Sequence, residues 1–174
     1  MSFIEPIWIA RDYIKCSGCR KCEIACSLHH EGKIWPEASR IRVFMLVPGA
    51  EVPHFCVQCQ DYPCVEACPT EALSINRETA AVSVAREHCT ACGQCTEVCP
   101  GNIPHVHPTQ GYAIICDLCH GEPKCVEACQ EGDWNALKLV TRKDRLYKLY
   151  ARTPEEITKD LIVGLYGEAA KELM

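Results

Sequence analysis

An α+β fold of short helices and small β-hairpins is what this sequence predicts, and three observations predict it. All sixteen cysteines of the 174-residue chain fall into four groups of four. The spacing of those groups alternates between a tight and a wide pattern. Short apolar runs, each about the length of a small strand, flank the groups.

The groups are Cys16, Cys19, Cys22 and Cys26; Cys56, Cys59, Cys64 and Cys68; Cys89, Cys92, Cys95 and Cys99; and Cys116, Cys119, Cys125 and Cys129. The third, with Pro100, is a complete C-x2-C-x2-C-x3-C-P run, the bacterial signature of cysteine-ligated [4Fe–4S] clusters. Thiolate is a soft ligand suited to iron and sulfide, and the CxxC spacing lets one loop wrap a cluster corner. Four groups predict four [4Fe–4S] clusters and a protein that moves electrons. Disulfides fit poorly, because Met1–Ala10 has neither the charged nor the apolar region of a secretory leader. Zinc fits poorly too, because zinc ribbons carry isolated cysteine pairs, whereas here the cysteines crowd together.

Ligand groups occupy most of Cys16 to Cys129, so little chain remains for an ordinary core and folding is coupled to metal loading. The formal charge is −5 with neutral cysteines. Four oxidised clusters with their thiolates bring it to roughly −13, which disfavours nucleic acid and favours partners with basic faces. No apolar run approaches the about 18 residues of a membrane span, and a cytoplasmic protein is expected.

In chain order, the apolar run Ile7-Trp8-Ile9-Ala10 is the first strand and leads into tight group one. Ser27–Phe55 holds a second strand, Arg40–Val47, with Ile41, Val43 and Met45 expected on one buried face. Wide group two is followed by the strand-like Ala72–Ile75, the turn Asn76–Ala80 and the strand-like Ala81–Ala85, a hairpin leading into tight group three. Wide group four shares the pentapeptide Cys-Val-Glu-Ala-Cys with group two (64–68 and 125–129), and Ala136–Val140 follows as a last strand. Each fourth cysteine is expected in a short helical turn. The tail opens with a capping box, Thr153 and Glu156, with Pro154 at the first helical position. Ile157, Leu161, Leu165, Ala169 and Leu173 then recur at helical spacing.

Wide group, hairpin, tight group is the layout of a two-cluster ferredoxin unit. Groups four and one have the same strand pair with its halves at opposite ends of the chain. Pairing of Ala136–Val140 with Ile7–Ala10 closes a second unit around the first. The architecture is then two pseudo-duplicated, bacterial-ferredoxin-like units, nested: an outer unit over 1–30 and 110–150, and an inner one over 50–109. A connecting strand segment covers 31–49, and a C-terminal docking helix 151–174. Sequential pairing of groups one with two and three with four also fits the alternation, but leaves both units without the hairpin. In paired-cluster ferredoxins the last cysteine of a group ligates the other cluster. Nesting then assigns Cys16, Cys19, Cys22 and Cys129 to one cluster, and Cys26, Cys116, Cys119 and Cys125 to its neighbour. The inner pair takes Cys56, Cys59, Cys64 and Cys99, then Cys68, Cys89, Cys92 and Cys95. Pro69 and Pro100 follow the fourth cysteine of the inner groups, where the outer groups have Ser27 and Gln130.

The runs Cys-Ser-Leu-His-His-Glu-Gly (26–32), Ser39-Arg40-Ile41-Arg42-Val43, Pro63–Thr70 and Cys116-Asp117-Leu118-Cys119 resemble the four-cluster ferredoxin-type electron-transfer subunits of molybdenum and tungsten pterin enzymes and some hydrogenase complexes. The resemblance covers about residues 5 to 140 and implies the outer–inner ligand pattern. Among such subunits the chain is most similar to the small polyferredoxin subunits of tungsten aldehyde oxidoreductase complexes, then to those of benzoyl-CoA reductase. The larger, formate-dehydrogenase-like members carry insertions, anchors or export signals that are not seen here. What the resemblance implies is an anaerobic, non-catalytic subunit passing single electrons between a large pterin-containing subunit and a flavin subunit, a ferredoxin or a second copy of itself. The alternatives are a free-standing polyferredoxin carrier, or the electron-transfer subunit of a benzoyl-CoA reductase, formate dehydrogenase or hydrogenase complex. An independent enzyme finds no support, since neither GxGxxG nor a P-loop occurs. Lys15, Lys21 and Lys124 lie beside ligand cysteines and either raise cluster potentials or are solvated surface charges. The seven histidines show no HExxH-like spacing and are expected as polar loop residues.

Overall fold

The protein is described here by a computed structural model covering residues 7–141 and 150–173. The start of the outer span and its stretch 142–149 lie outside the described residues. In chain order the elements are β1 (Ile7–Arg11), α1 (Lys21–Glu31), β2 (Arg42–Val47), β3 (Ala50–His54), α2 (Pro63–Glu66), β4 (Leu73–Ile75) and β5 (Val82–Val84), with α3 (Gln94–Glu97), β6 (His105–Val106), β7 (Ala113–Ile114), α4 (Lys124–Glu131), β8 (Leu137–Thr141) and α5 (Pro154–Tyr166) after them. The described strands form two-stranded antiparallel ribbons: β1–β8, β2–β3, β4–β5 and β6–β7. This is the mixed helix and small-sheet class expected.

Strands from the two ends of the chain do pair. Ile7 faces Thr141 and Ala10 faces Lys138, and Ile9 and Leu137 are buried beneath the ribbon. The β4–β5 hairpin aligns Leu73 with Val84. Its turn is held by the Asn76 side chain, whose Oδ1 accepts from the backbone N–H of Glu78 (2.8 Å) and Thr79 (3.1 Å), the usual way an asparagine starts a turn.

Two expectations need correction. The strand predicted at Arg40–Val47 starts at Arg42, and Met45 is 54% exposed rather than buried. Its pairing with β3 shifts register between Met45 and Val47, and such an irregularity turns the next side chain to the other face. Burial therefore passes from Ile41 and Val43 to Val47. In the tail the capping box and Pro154 are in place, but the helix stops at Tyr166, before Gly167 at φ 54°. Its buried positions are Ile157, Thr158 and Ile162, with Ala170 in the 3-10 turn beyond; Leu165 and Leu173 are exposed. Ile162 and Ala170 pack against Val47 and Ala50, so α5 lies on the β2–β3 ribbon of its own chain.

The largest cluster of buried residues mixes Ile9, Ile41, Val43, Phe55, Leu118, Val126 and Leu137 with Cys22, Cys26, Cys116, Cys125 and Cys129. Thiols are thus part of the core. The segment before α5 is seated by Gly101, where an added Cβ would come within 2.7 Å of the Ala151 Cβ.

Candidate metal centres

The cysteine groups share a local construction. A left-handed residue stands immediately before three of the helices: Arg20 (φ 58°) before α1, Tyr62 (φ 46°) before α2 and Gly93 (φ 84°) before α3. That conformation reverses the chain, so loop thiols and helix thiols face one another. Cys22 and Cys26 ride on α1, and Cys125 and Cys129 on α4. Cys68 and Cys99 follow α2 and α3 by two residues. α1 packs on α4, and α2 on α3, so groups one and four meet, and so do groups two and three.

Electrostatics record which thiols are close. Burial raises the Cys16 thiol, with Glu51, Cys19 and Cys129 adding to the effect. Burial takes Cys22 up to about 12, helped by Glu23, Cys16 and Cys19. One hollow is lined by Cys16, Cys19, Cys22 and Cys129 together. Burial likewise raises Cys56 to about 12, with Cys64, Cys59 and Cys99 as its charged neighbours. Cys116 and Cys125 are pushed well above the ordinary thiol value by burial first, and each has Cys26 among its neighbours. Cys119, raised by burial to about 11, has Asp117 and Cys26 near it. Cys95 is raised by burial and then by Cys89 and Cys92, and a second hollow joins these three to Cys68.

These residues suit an iron–sulfur cluster. All sixteen cysteines are free of disulfides. Crowded, buried thiols resist losing their protons one by one, but a bound metal replaces the proton and neutralises the repulsion. Backbone N–H groups already point at sulfur: Arg40 to Cys26 Sγ (3.2 Å), Ala113 to Cys89 Sγ (3.3 Å) and Gln58 to Cys56 Sγ (3.4 Å). Such donors stabilise anionic sulfur and tune cluster potential.

Several side chains that spacing does not single out tie the groups together. Buried Gln58 donates from Nε2 to the Cys116 carbonyl (2.8 Å) and accepts from the Val82 N–H at Oε1 (3.0 Å), linking group two to group four and β5. Glu31 pairs with Arg40 (2.6 Å) and with His107 (3.2 Å), and all three side chains are buried. His30 stands four residues after Cys26 on α1; its Nδ1 lies 2.9 Å from the Cys26 carbonyl and its Nε2 3.1 Å from Asp117. Against the rise that burial brings, His30 and the Arg40 N–H hold Cys26 below the usual thiol value. The expectation that the histidines are polar loop residues fails for these. His29 and His30 lie on α1, His54 is buried in β3, and His107 is buried against Trp35 and Tyr112. The i,i+4 spacing of Cys26 and His30 on one helix is the signal that could have found His30. Lys15 and Lys124 are ion-paired, to Asp12 (3.2 Å) and Glu127 (3.0 Å).

Comparison with known proteins places the chain among iron–sulfur proteins. The 4Fe-4S dicluster domain family matches residues 49–138. The aliphatic sulfonate oxidoreductase polyferredoxin-like subunit of Pyrococcus furiosus is 55% identical over 165 residues, 94% of this chain and 95% of that one. The electron transport protein HydN of Escherichia coli is 33% identical over 147 residues, 70% of this chain and 82% of that one. Among solved structures, the active site complex BamBC of benzoyl-coenzyme A reductase with benzoyl-CoA contains a polypeptide 23% identical at a TM-score of 0.46, covering 95% of this chain and 96% of that one.

Proposed function

This chain belongs to the 4Fe-4S dicluster domain family, and from that membership we propose that it is the electron-transfer subunit of an oxidoreductase complex, holding four [4Fe–4S] clusters in two nested units. The observation that carries this reading is the sorting of sixteen cysteines into four foursomes with none left over. We infer the ligand sets Cys16, Cys19, Cys22, Cys129; Cys26, Cys116, Cys119, Cys125; Cys56, Cys59, Cys64, Cys99; and Cys68, Cys89, Cys92, Cys95. The neighbour relations of the thiols support them. So does the β1–β8 ribbon, which pairs the strand before group one with the strand after group four, as an outer unit over 1–30 and 110–150 nested about an inner one over 50–109 would require.

A bound cluster carries one electron at a time. The chain's part is to hold the row in place, bury it from water and set its potentials through N–H donors such as those of Arg40 and Ala113. Backbone donors held in place by the fold need little rearrangement when sulfur charge changes.

The partner we infer is a large catalytic subunit with a tungsten or molybdenum pterin centre. Resemblance points to the aldehyde oxidoreductase type, and the name of the Pyrococcus furiosus relative to aliphatic sulfonates. The far end of the row serves a flavin subunit, a ferredoxin or a second copy of the chain. The face that α5 leaves open, with Val163, Leu165 and Tyr166 exposed, is the docking surface we assign to the large subunit. Anaerobic co-purification tests the reading: a stoichiometric large subunit containing tungsten or molybdenum is expected. A monomer that any unrelated reductase and oxidase can reduce and reoxidise would instead be a diffusible carrier.

A further inference from the structure

After burial, neighbouring carboxylates add to the rise of several thiols: Glu23 at Cys22, Asp61 at Cys59, Asp117 at Cys119 and Glu51 at Cys16. The first three have partners. Glu23 is buried, accepts from the Val43 N–H (2.6 Å) and meets Arg20 (3.4 Å). Asp61 is exposed to water and accepts from the Tyr150 hydroxyl (2.8 Å). Asp117 accepts from the Cys119 N–H (3.0 Å) and meets His30 (3.1 Å). Glu51 differs. It is half-buried, and among the described residues its carboxylate has no hydrogen bond and no ion pair. It reaches the loop between Cys16 and Cys19 from β3 and rests on Gly18, which has φ 69°. A Cβ at Gly18 would come within 2.7 Å of the Glu51 Cδ and 2.8 Å of Oε2, so the loop admits the carboxylate because residue 18 has no side chain. The Gly18 N–H is itself directed at Cys16. Glu51 therefore lies against the peptide that faces a group one sulfur.

We propose that Glu51 holds down the potential of the cluster of Cys16, Cys19, Cys22 and Cys129, a further role within the ligand sets proposed above, on which it rests. Reduction adds one negative charge there, and a fixed carboxylate nearby opposes it. A carboxylate that is ion-paired or open to water acts weakly, because its field is compensated or screened. Glu51 is unpaired and partly shielded, so more of its field reaches the sulfur. The position within the molecule gives the effect a consequence. Cys19 is exposed, whereas Cys26, Cys116 and Cys125 of the neighbouring set are buried. Group one is thus an end of the row that a partner can approach. An end held at low potential suits exchange with a strongly reducing one-electron carrier.

The full chain, purified anaerobically with its iron and sulfide measured, is titrated potentiometrically and followed by electron paramagnetic resonance. Glu51→Gln is expected to raise one midpoint by about tenfold in the reduction equilibrium, about 59 mV for one electron, and to leave the others in place. Glu51→Lys raises the same midpoint further, and Glu51→Asp stays near the parent value; a purely structural role would order these variants by shape rather than by charge. Glu168→Gln, the same charge change at an exposed tail position, moves none. Cys19→Ser identifies the signal, because it alters the spectrum of whichever cluster Cys19 holds. Midpoints unmoved in both Glu51→Gln and Glu51→Lys, an equal shift of all of them, or a shift in a signal that Cys19→Ser leaves intact overturns the proposal. A shift in the signal that Cys19→Ser alters and Cys129→Ser does not supports Glu51 and overturns only the ligand set that includes Cys129. Absence of labile sulfide overturns the function proposed above, and this inference with it.

Discussion

At the scale of single residues, the fourth cysteine of each group is the informative one. Cys129 follows Cys116 by thirteen residues yet lines a hollow with Cys16, Cys19 and Cys22. Under the proposed ligand sets, Cys129→Ser perturbs the cluster of group one, and Cys99→Ser that of group two. Site-resolved paramagnetic spectra check this, and a Cys129 variant that alters the group three cluster would support sequential pairing. His105, on the wall of the hollow that holds Cys68, Cys89, Cys92 and Cys95, offers a pH test. Burial first, with Arg42 next, lowers its pKa from 6.5 to about 4. A base depressed in the folded state takes its proton later than in the unfolded chain. Its contribution to stability is therefore complete above 6.5 and is lost as pH falls toward 4. Anaerobic thermal unfolding is expected to show a decline over that window that is shallower in His105→Gln. An identical slope in both proteins would remove His105 as a cause. The burial of His105 was not legible in spacing. A buried histidine and an exposed one look alike in sequence, and only packing decides.

At the scale of elements, strands were more legible than their faces. Alternation located β2, but the irregularity after Met45 moved the buried face, and no local pattern announces a register shift. β3 carries Pro53, which removes a ladder donor and belongs on an edge strand, so Ala50–His54 reads poorly as a strand until β2 is beside it. The cap of α5 was legible because a capping box is satisfied within four residues. Its buried side was not, since the β2–β3 ribbon selects Ile162 over Leu165. Ile162 is fully buried, so Ile162→Ala is expected to cost about 2–5 kcal/mol. The loss is local: every cysteine lies before α5. Chemical denaturation should therefore show a lower stability with iron content unchanged, and hydrogen exchange should quicken first in β2 and β3. Loss of iron in proportion to stability would mean that the ribbon and the thiol groups fold as one unit.

For the whole molecule, thiols occupy the place of an ordinary core, and metal loading is the quantity to measure. About sixteen irons and sixteen sulfides per chain are expected after anaerobic purification. Chelation under reducing conditions should unfold the chain cooperatively, because the buried thiols then repel and their apolar neighbours lose their support. A preparation with about four zincs and no labile sulfide would refute the cluster assignment. No described helix is long and apolar enough to cross a membrane. The sequence by itself determined the donor chemistry, the grouping of the cysteines, the hairpin of β4 and β5 and the pairing of the first strand with the last. Those features follow from residue identity and short-range spacing, and from a repeat whose missing half lies at the other terminus. Tertiary structure alone decided which histidines are buried, that Gln58 joins group two to group four, which side of α5 faces inward, and that Glu51 reaches the loop between Cys16 and Cys19. Each of those depends on distances between segments far apart in the chain, set by how the ribbons and helices pack, and residue order does not encode such distances locally.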